Sequence, residues 1–119
     1  MVIDSTTPWV QQTEWLTVPD LTEILNLSPG RIRRLFEEKQ LLAVRIENVL
    51  KVPALFLKDD LPLEKLAGTI TLLFDSGYSN DEVVQWLLEP NELLGNTPIE
   101  SLRAGRKSEV RRVAQSLAF

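Results

Sequence analysis

The sequence predicts a mainly α-helical protein that carries one small β-hairpin. Two patterns predict this fold class. Apolar residues recur three and four positions apart through most of the 119-residue chain, which is the spacing of one helix face. Between residues 44 and 52 the spacing changes to two, which is the period of a strand. We therefore expect a helix pair, then a hairpin, then a second group of helices.

The first helix of the pair is predicted to begin directly after Thr17. This residue offers a capping hydroxyl, and a proline and an acid follow it in the first turn. Leu21, Ile24 and Leu25 then form the apolar stripe of an amphipathic helix.

A second helix is predicted after a turn of about three residues. Ser28-Pro29 supplies the cap and the first-turn proline, and Ile32, Leu35 and Phe36 form the apolar face. Two helices joined by so short a turn are typical of a helix-turn-helix.

The hairpin is predicted from alternation on both sides of Asn48, a residue that tolerates the left-handed backbone of a tight turn. The apolar positions are Val44, Ile46, Leu50 and Val52. The charged positions are Arg45, Glu47 and Lys51. We expect the apolar side chains on one inward face and the charged side chains on the outward face.

Together these elements predict a winged helix-turn-helix domain over residues 14–57, in which the hairpin is the wing. Residues 1–13 are polar and are expected to form a flexible N-terminal tail. A helical C-terminal domain is expected over residues 61–119, where capping boxes at Ser79–Glu82 and Thr97–Glu100 precede apolar stripes.

The composition excludes most catalysis. The chain contains no histidine and no cysteine, so it can build no serine-protease triad, thiol nucleophile, disulfide or zinc finger. No pair of carboxylates has a spacing that suggests an active site. We therefore expect a protein that is not an enzyme, with no catalytic residue, no metal site and no cofactor.

Neither a leader peptide nor a membrane segment is expected. The first residues lack a basic region followed by an apolar run. The longest apolar stretches are far short of the roughly 20 residues that a membrane span requires. We therefore expect a cytoplasmic, nucleoid-associated protein with no membrane partner.

The net charge of −4 hides two basic segments. Residues 28–53 hold six cations against three acids, and residues 101–119 hold five cations against one acid. Residues 54–100 hold two lysines and nine acids. The local field recruits a polyanion, so the acidic total does not exclude DNA as a partner.

The outward face of the second predicted helix carries the strongest signal for DNA binding. With Ile32 set toward the core, three arginines lie on the opposite side close to the helix N-terminus. A helix N-terminus favours phosphate, and arginine can bond guanine in a bidentate manner in the major groove. The DNA-binding residues that we expect on this helix and on the wing are Ser28, Gly30, Arg31, Arg33, Arg34, Arg45, Asn48 and Lys51.

A plainer interpretation of the arginines is a solvated helix face. Arg33 lies four residues before Glu37, and Arg34 lies four residues before Glu38. Such pairs stabilise a helix by only a few tenths of a kcal/mol, about 0.2–0.5 each. The two glutamates also bring negative charge close to the expected groove face.

Two further sets of residues allow a binding or regulatory role. Arg106, Lys107, Arg111 and Arg112 would either extend the DNA surface or form a solvated face. Thr6 and Thr7 are candidate phosphorylation sites in the expected tail. Phosphorylation there would add negative charge beside an arginine-rich domain, so it would oppose DNA binding.

The N-terminal half resembles the winged helix-turn-helix of MerR-type regulators and phage excisionases. The resemblance is carried by Leu16–Leu35, Leu41–Arg45 and Leu50–Pro53, within a span of about 40 residues. It implies a DNA-binding domain. The chain lacks the long dimerisation helix and the effector-binding cysteines of MerR proteins, so dimerisation and metal or drug sensing are not implied.

The whole chain resembles a family of small actinobacterial DNA-binding proteins that join such a domain to a helical C-terminal domain of uncertain role. The matching C-terminal segments are Leu72–Tyr78, Val84–Leu87 and Glu109–Gln115. Residues 96–112 also resemble the C-terminal domain of Xre/ParS-type antitoxins, which would give this domain a protein partner.

The sequence thus predicts a DNA-binding protein, with transcriptional regulation as its expected role and double-stranded DNA as its partner. In this interpretation the second helix enters the major groove and the wing lies on the backbone. We expect a monomer or a weak dimer. The alternatives are an antitoxin-like adaptor that docks a protein through its C-terminal domain, and an excisionase-like protein that bends DNA.

Overall fold

The computed structural model of the protein describes residues 3–117. Its helices are α1 (Pro8–Gln11), α2 (Val18–Leu25), α3 (Pro29–Glu37), α4 (Leu66–Asp75), α5 (Asn80–Leu88), α6 (Pro98–Arg103) and α7 (Lys107–Gln115). Its strands are β1 (Trp15–Thr17), β2 (Val44–Ile46), β3 (Val49–Pro53), β4 (Leu57–Lys58) and β5 (Leu61–Pro62), and a single 3₁₀ turn (Ala54–Phe56) follows β3. The predicted fold class is confirmed, because a winged helix-turn-helix precedes a helical domain.

Both helices of the pair begin at their predicted caps. The Asp20 amide donates to the Thr17 hydroxyl at the start of α2, and the Asp20 carboxylate accepts from the Thr17 amide in return. Asn26 ends this helix in the left-handed conformation, with a φ of 54°. The Ser28 hydroxyl then accepts from the Arg31 amide and caps α3. Local side-chain chemistry therefore sets the turn between the helices.

The wing is part of a three-stranded antiparallel sheet in the order β1-β3-β2. The strand β1 has only three residues and shows no alternation, so periodicity did not predict it. It pairs with β3 along Trp15↔Pro53 and Thr17↔Lys51. Because β3 is the central strand, the wing is joined to the chain segment that enters α2.

The hairpin has a different register from the one expected. Ile46 pairs directly with Val49, so the turn contains only two residues, both with positive φ. Directly paired residues point to the same face of a sheet. Val44 therefore shares a face with Lys51, and Arg45 shares the other face with Leu50.

The prediction of one apolar and one charged face is therefore wrong. The expected face would require Ile46 to pair with Leu50, which leaves three residues in the turn. The two-residue turn instead places Arg45 and Lys51 on opposite faces of the hairpin.

The N-terminal segment is packed, which corrects the expectation of a flexible tail over residues 1–13. Ile3, Trp9 and Val10 are buried, the last two on α1. The Trp15 indole N–H donates to the Val10 carbonyl at 2.9 Å, and the rings of Trp9 and Trp15 lie 6.3 Å apart. Burial of apolar side chains orders a segment that is otherwise polar. Residues 1 and 2 of the expected tail lie outside the described residues.

The two halves of the chain are joined by a second small hairpin rather than by an extended linker. Asp59 and Asp60 adopt positive φ in the tight turn between β4 and β5, and the Leu63 amide donates to the Phe56 carbonyl at 2.8 Å. One continuous core crosses this junction, with Ile32 from the first half and Ile70 from the second fully buried in it.

The C-terminal helices carry the predicted caps. Capping boxes form at Ser79–Glu82 before α5 and at Thr97–Glu100 before α6. The helix α4 begins at Leu66, and residues 63–65 separate it from β5. Residues 118 and 119 of the expected C-terminal domain lie outside the described residues. Within residues 3–117, no helix has both the length and the apolar character needed to cross a membrane.

Candidate nucleic-acid interface

The outer face of α3 presents three arginines to solvent. Ile32 is fully buried, whereas Arg31, Arg33 and Arg34 are exposed. The helix is held by its apolar side against the core, so the opposite side is free along the first two turns. The structure thus brings three of the expected site residues together on one helix.

These arginines do not form the helix-surface ion pairs that their spacing from Glu37 and Glu38 allows. Among residues 3–117, ion pairs occur only at Lys65–Glu64 and Arg106–Glu109, each with an N–O distance of 3.4 Å. Arg33 does not pair with Glu37, nor Arg34 with Glu38. The guanidinium groups therefore form no ion pair with a carboxylate in the part of the chain that the structure describes.

The N-terminus of α3 is open at its first turn. Ser28 uses its hydroxyl to accept the Arg31 amide at 3.3 Å. Gly30 is exposed, and a methyl group built at this position would meet only the Ser28 hydroxyl, at 4.0 Å. Packing within the protein therefore does not require glycine here. Glycine would, however, let a ligand approach the backbone closely at this position.

The wing presents its predicted residues in three different environments. Asn48 is exposed at the tip, next to Glu47, and Lys51 is half-buried in the central strand. Arg45 is exposed on the other face, where it borders a surface cavity of about 420 Å³ together with Asp81 of α5. The structure therefore does not place Arg45 beside Lys51.

The four cations of the expected second basic surface lie in different surroundings. Arg106 donates to the Ser101 hydroxyl at 3.0 Å and pairs with Glu109. Arg111 packs its guanidinium against Gly68 of α4, and its Nε is buried.

The remaining two cations lie apart. Lys107 borders a cavity between α6 and the β4–β5 hairpin, and Arg112 borders another beside the loop after α5. Arg106 and Arg111 thus contact other residues of the C-terminal domain, and a DNA-binding role for the four cations stays a prediction.

The candidate phosphorylation sites lie in the packed N-terminal segment. The Thr6 hydroxyl donates to the Asp4 carboxylate at 2.6 Å, and the Thr6 amide donates to the same oxygen at 2.8 Å. Both hydrogen bonds lower the pKa of Asp4, and the one from the hydroxyl has the larger effect. Thr7 is half-buried and precedes α1. Phosphorylation of either threonine stays a prediction.

Sequence reasoning missed the residues that tie the C-terminal domain to this interface. The Lys39 ammonium, just beyond α3, lies 5.1 Å from the centre of the Phe74 ring of α4. The Asn80 side-chain amide donates to the carbonyl of Ala43, directly before β2, at 2.9 Å. Both contacts join distant parts of the chain, and no local signal in the sequence indicates them.

Two family models match this chain, one after the other. Residues 6–57 match the model described as "DNA-binding protein Rv2175c, wHTH domain", and residues 63–118 match "Rv2175c C-terminal domain of unknown function". The first match includes most of the N-terminal segment that packs against the sheet. The models together account for nearly all of the chain in the order that the structure shows.

A curated relative and a solved structure agree with these matches. The "DNA-binding protein Rv2175c" of Mycobacterium tuberculosis is 29% identical over 115 residues, and the match covers 86% of this chain and 79% of that protein. The structure titled "NMR structure of Rv2175c" superposes with a TM-score of 0.85 at 25% identity, covering 98% of this chain and 87% of that chain. The resemblance to a small actinobacterial family is thereby confirmed, and this chain belongs to the Rv2175c family, in which a winged helix-turn-helix domain precedes a C-terminal domain of unknown function.

Proposed function

We propose that this protein binds double-stranded DNA with α3 in the major groove and the wing on the sugar-phosphate backbone. The observation that carries the proposal is the set of Arg31, Arg33 and Arg34, which are exposed on the second helix of a helix-turn-helix and form no ion pair within residues 3–117. In this motif the N-terminal residues of the second helix reach the base edges.

The chemistry of this face suits DNA at two levels. The positive end of the α3 dipole and the amides near Ser28 and Gly30 favour a phosphate at the helix N-terminus. The arginines can bind further phosphates or bond guanine in a bidentate manner, which contributes about 1–3 kcal/mol of discrimination per base pair. The relative from M. tuberculosis is named as a DNA-binding protein, which supports the same function here.

The wing contributes less charge than α3. Lys51 and Asn48 are the wing residues that we assign to the DNA backbone, and Arg45 would reach it only around the edge that faces α5. Glu47 at the tip is exposed and opposes a close approach to phosphate. We therefore assign most of the affinity to α3 and the orientation of the complex to the wing.

The biological role that we propose is transcriptional regulation in the cytoplasm, without catalysis. The protein would act as a monomer or a weak dimer. Binding that selects a sequence, rather than bending of DNA, is the expected consequence of arginines aimed at base edges.

Chemical-shift mapping with a short DNA duplex tests the proposed interface. The largest perturbations should fall on residues 28–37 and on the wing, and they should be clearly smaller in Arg33→Gln at the same concentrations. Lys65→Gln is the matched control, because it removes one exposed cation from the C-terminal domain. Perturbations centred on α7, or an equal loss in both variants, would contradict this interface.

A further inference from the structure

The C-terminal domain contacts the winged helix-turn-helix at the edges of its DNA-reading elements. One contact lies at the end of α3, one at the start of the wing and one just after the wing. None of them uses Arg31, Arg33 or Arg34. We infer that the C-terminal domain is a platform that holds α3 and the wing in position for DNA, with Asn80 and Phe74 as positioning residues. This inference rests on the proposed function and gives the second domain a role in it.

The start of the wing is fixed by the first residue of α5. The Asn80 side-chain amide donates to the Ala43 carbonyl at 2.9 Å, and both residues are half-buried. The adjacent capping box between Ser79 and Glu82 sets the orientation of this helix terminus. A carbonyl just outside the sheet ladder thereby receives a hydrogen bond that the wing itself does not supply.

The end of α3 is fixed by α4. Lys39 adopts a φ of 60° just after the helix, and its ammonium lies over the Phe74 ring at 5.1 Å. Cation–π contacts of this kind contribute about 0.5–1 kcal/mol at exposed sites. The contact restrains the C-terminal end of the helix whose N-terminal half carries the arginines.

The chain that leaves the wing is fixed by α6. The Arg103 guanidinium donates to the carbonyls of Leu55 and Leu57, which follow β3. The Lys58 ammonium donates in turn to the Arg103 carbonyl at 3.1 Å. Three side-chain and backbone contacts thus join α6 to the exit of the wing.

These contacts matter because β2 is an edge strand of a small sheet, so ladder hydrogen bonds hold it on one side only. The wing turn also contains Glu47 in a left-handed conformation, which glycine and asparagine adopt more readily. A wing that fluctuates must be ordered on DNA, and the lost entropy weakens binding. Contacts from the second domain order the wing beforehand, so the domain raises affinity without touching DNA.

Two neutral substitutions test this inference. Asn80→Ala removes the amide that bonds Ala43, and Phe74→Leu removes the ring under Lys39, while every cation of the protein is kept. Gln85→Ala is the control, because Gln85 lies on α5 and bonds Glu89 within its own domain. The measurements are duplex affinity as a function of salt, hydrogen exchange of the amides of residues 44–53, and thermal unfolding.

We expect Asn80→Ala and Phe74→Leu to bind duplex DNA about three- to tenfold more weakly than the control. The salt dependence should be unchanged, because the number of phosphate contacts is unchanged. The wing amides should exchange faster in Asn80→Ala. If one variant unfolds at the assay temperature, the other still decides the question.

Wild-type affinity in the folded variants, or a loss no larger than in Gln85→Ala, would overturn the inference while leaving the proposed function intact. The absence of salt-dependent duplex binding by the wild-type protein would instead overturn the proposed function. The wild-type measurement alone decides this point, before any variant is compared.

Discussion

Arg111 of α7 lies directly against Gly68 of α4, so that a methyl group at position 68 would overlap the guanidinium. The Nε of Arg111 is buried and has no hydrogen-bond partner within the described residues. Arg111 is therefore a packing residue whose stem and guanidinium cover a helix, rather than a free cation. Alanine at position 68 therefore fits only if the Arg111 guanidinium moves aside.

This relationship predicts that substitutions at the two positions are not additive. In an Arg111→Ala background, Gly68→Ala should raise the free energy of unfolding by about 0.5–1 kcal/mol, because alanine is the better helix former. In the wild-type background the gain should be smaller, since the guanidinium must move. Urea unfolding of the four proteins measures the coupling, and equal gains in both backgrounds would contradict the contact.

Substitutions of Ser28 should separate its capping role from its position near DNA. Aspartate caps helices as well as serine does, so Ser28→Asp should keep the free energy of unfolding, whereas Ser28→Ala should lower it by about 1 kcal/mol. The new carboxylate would occupy the phosphate position, and duplex affinity should fall by about tenfold or more.

Thr97→Asp is the charge control for this experiment, since Thr97 caps α6 in the C-terminal domain. The Thr97 hydroxyl also donates to the Glu100 carboxylate, so the new carboxylate should lower stability while it leaves affinity unchanged. Unchanged affinity in Ser28→Asp would show that the N-terminus of α3 does not approach phosphate.

The turn of the wing should be improved by asparagine at position 47. Both Glu47 and Asn48 have positive φ, as a type I′ turn requires, and glutamate is poorly suited to this conformation. Glu47→Asn should therefore raise the free energy of unfolding by about 0.5–1 kcal/mol. Glu47→Gln removes the same charge without improving the turn, so equal stability of the two variants would refute the explanation. Both should bind DNA more tightly than wild type.

The capping box of α5 should make part of the stability depend on pH. The Ser79 amide donates to the Glu82 carboxylate at 2.9 Å, and this backbone hydrogen bond holds the pKa of Glu82 below its ordinary value of 4.5. A pKa lowered by folding stabilises the protein above the unfolded pKa, and the stabilisation is lost as the pH falls through the folded pKa.

Glu82→Gln should therefore lower Tm at pH 7 and have little effect well below pH 4.5. Thermal unfolding of both proteins across this range measures the difference. A constant difference in Tm at all pH values would contradict the role of the charge.

Local signals in the sequence predicted the helix pair and the face of α3. A capping hydroxyl such as that of Ser28 acts within three residues, and the burial of Ile32 follows from helical periodicity alone. The register of the wing was not predictable in this way. Asn48 fits turns of two or three residues, and only the pairing of Ile46 with Val49 decides between them.

The remaining differences come from contacts between distant parts of the chain. Trp9 and Val10 are held by contacts with Trp15 in the strand that follows them, and Arg111 packs against a glycine on another helix. A single sequence shows the charge of Arg111 but not its neighbour. For the same reason the contact between Asn80 and Ala43, which links the two domains, could not be predicted.

The salt dependence of duplex affinity tests the central claim most directly. Log affinity of the wild-type protein should fall linearly with log salt concentration, with a slope of about 0.9 for each phosphate neutralised. Replacing Arg31, Arg33 and Arg34 together by glutamine should reduce this slope by about 1–3 and weaken binding strongly, whereas Lys65→Gln should leave both unchanged. A triple variant with the wild-type slope and affinity would contradict the assignment of DNA binding to α3.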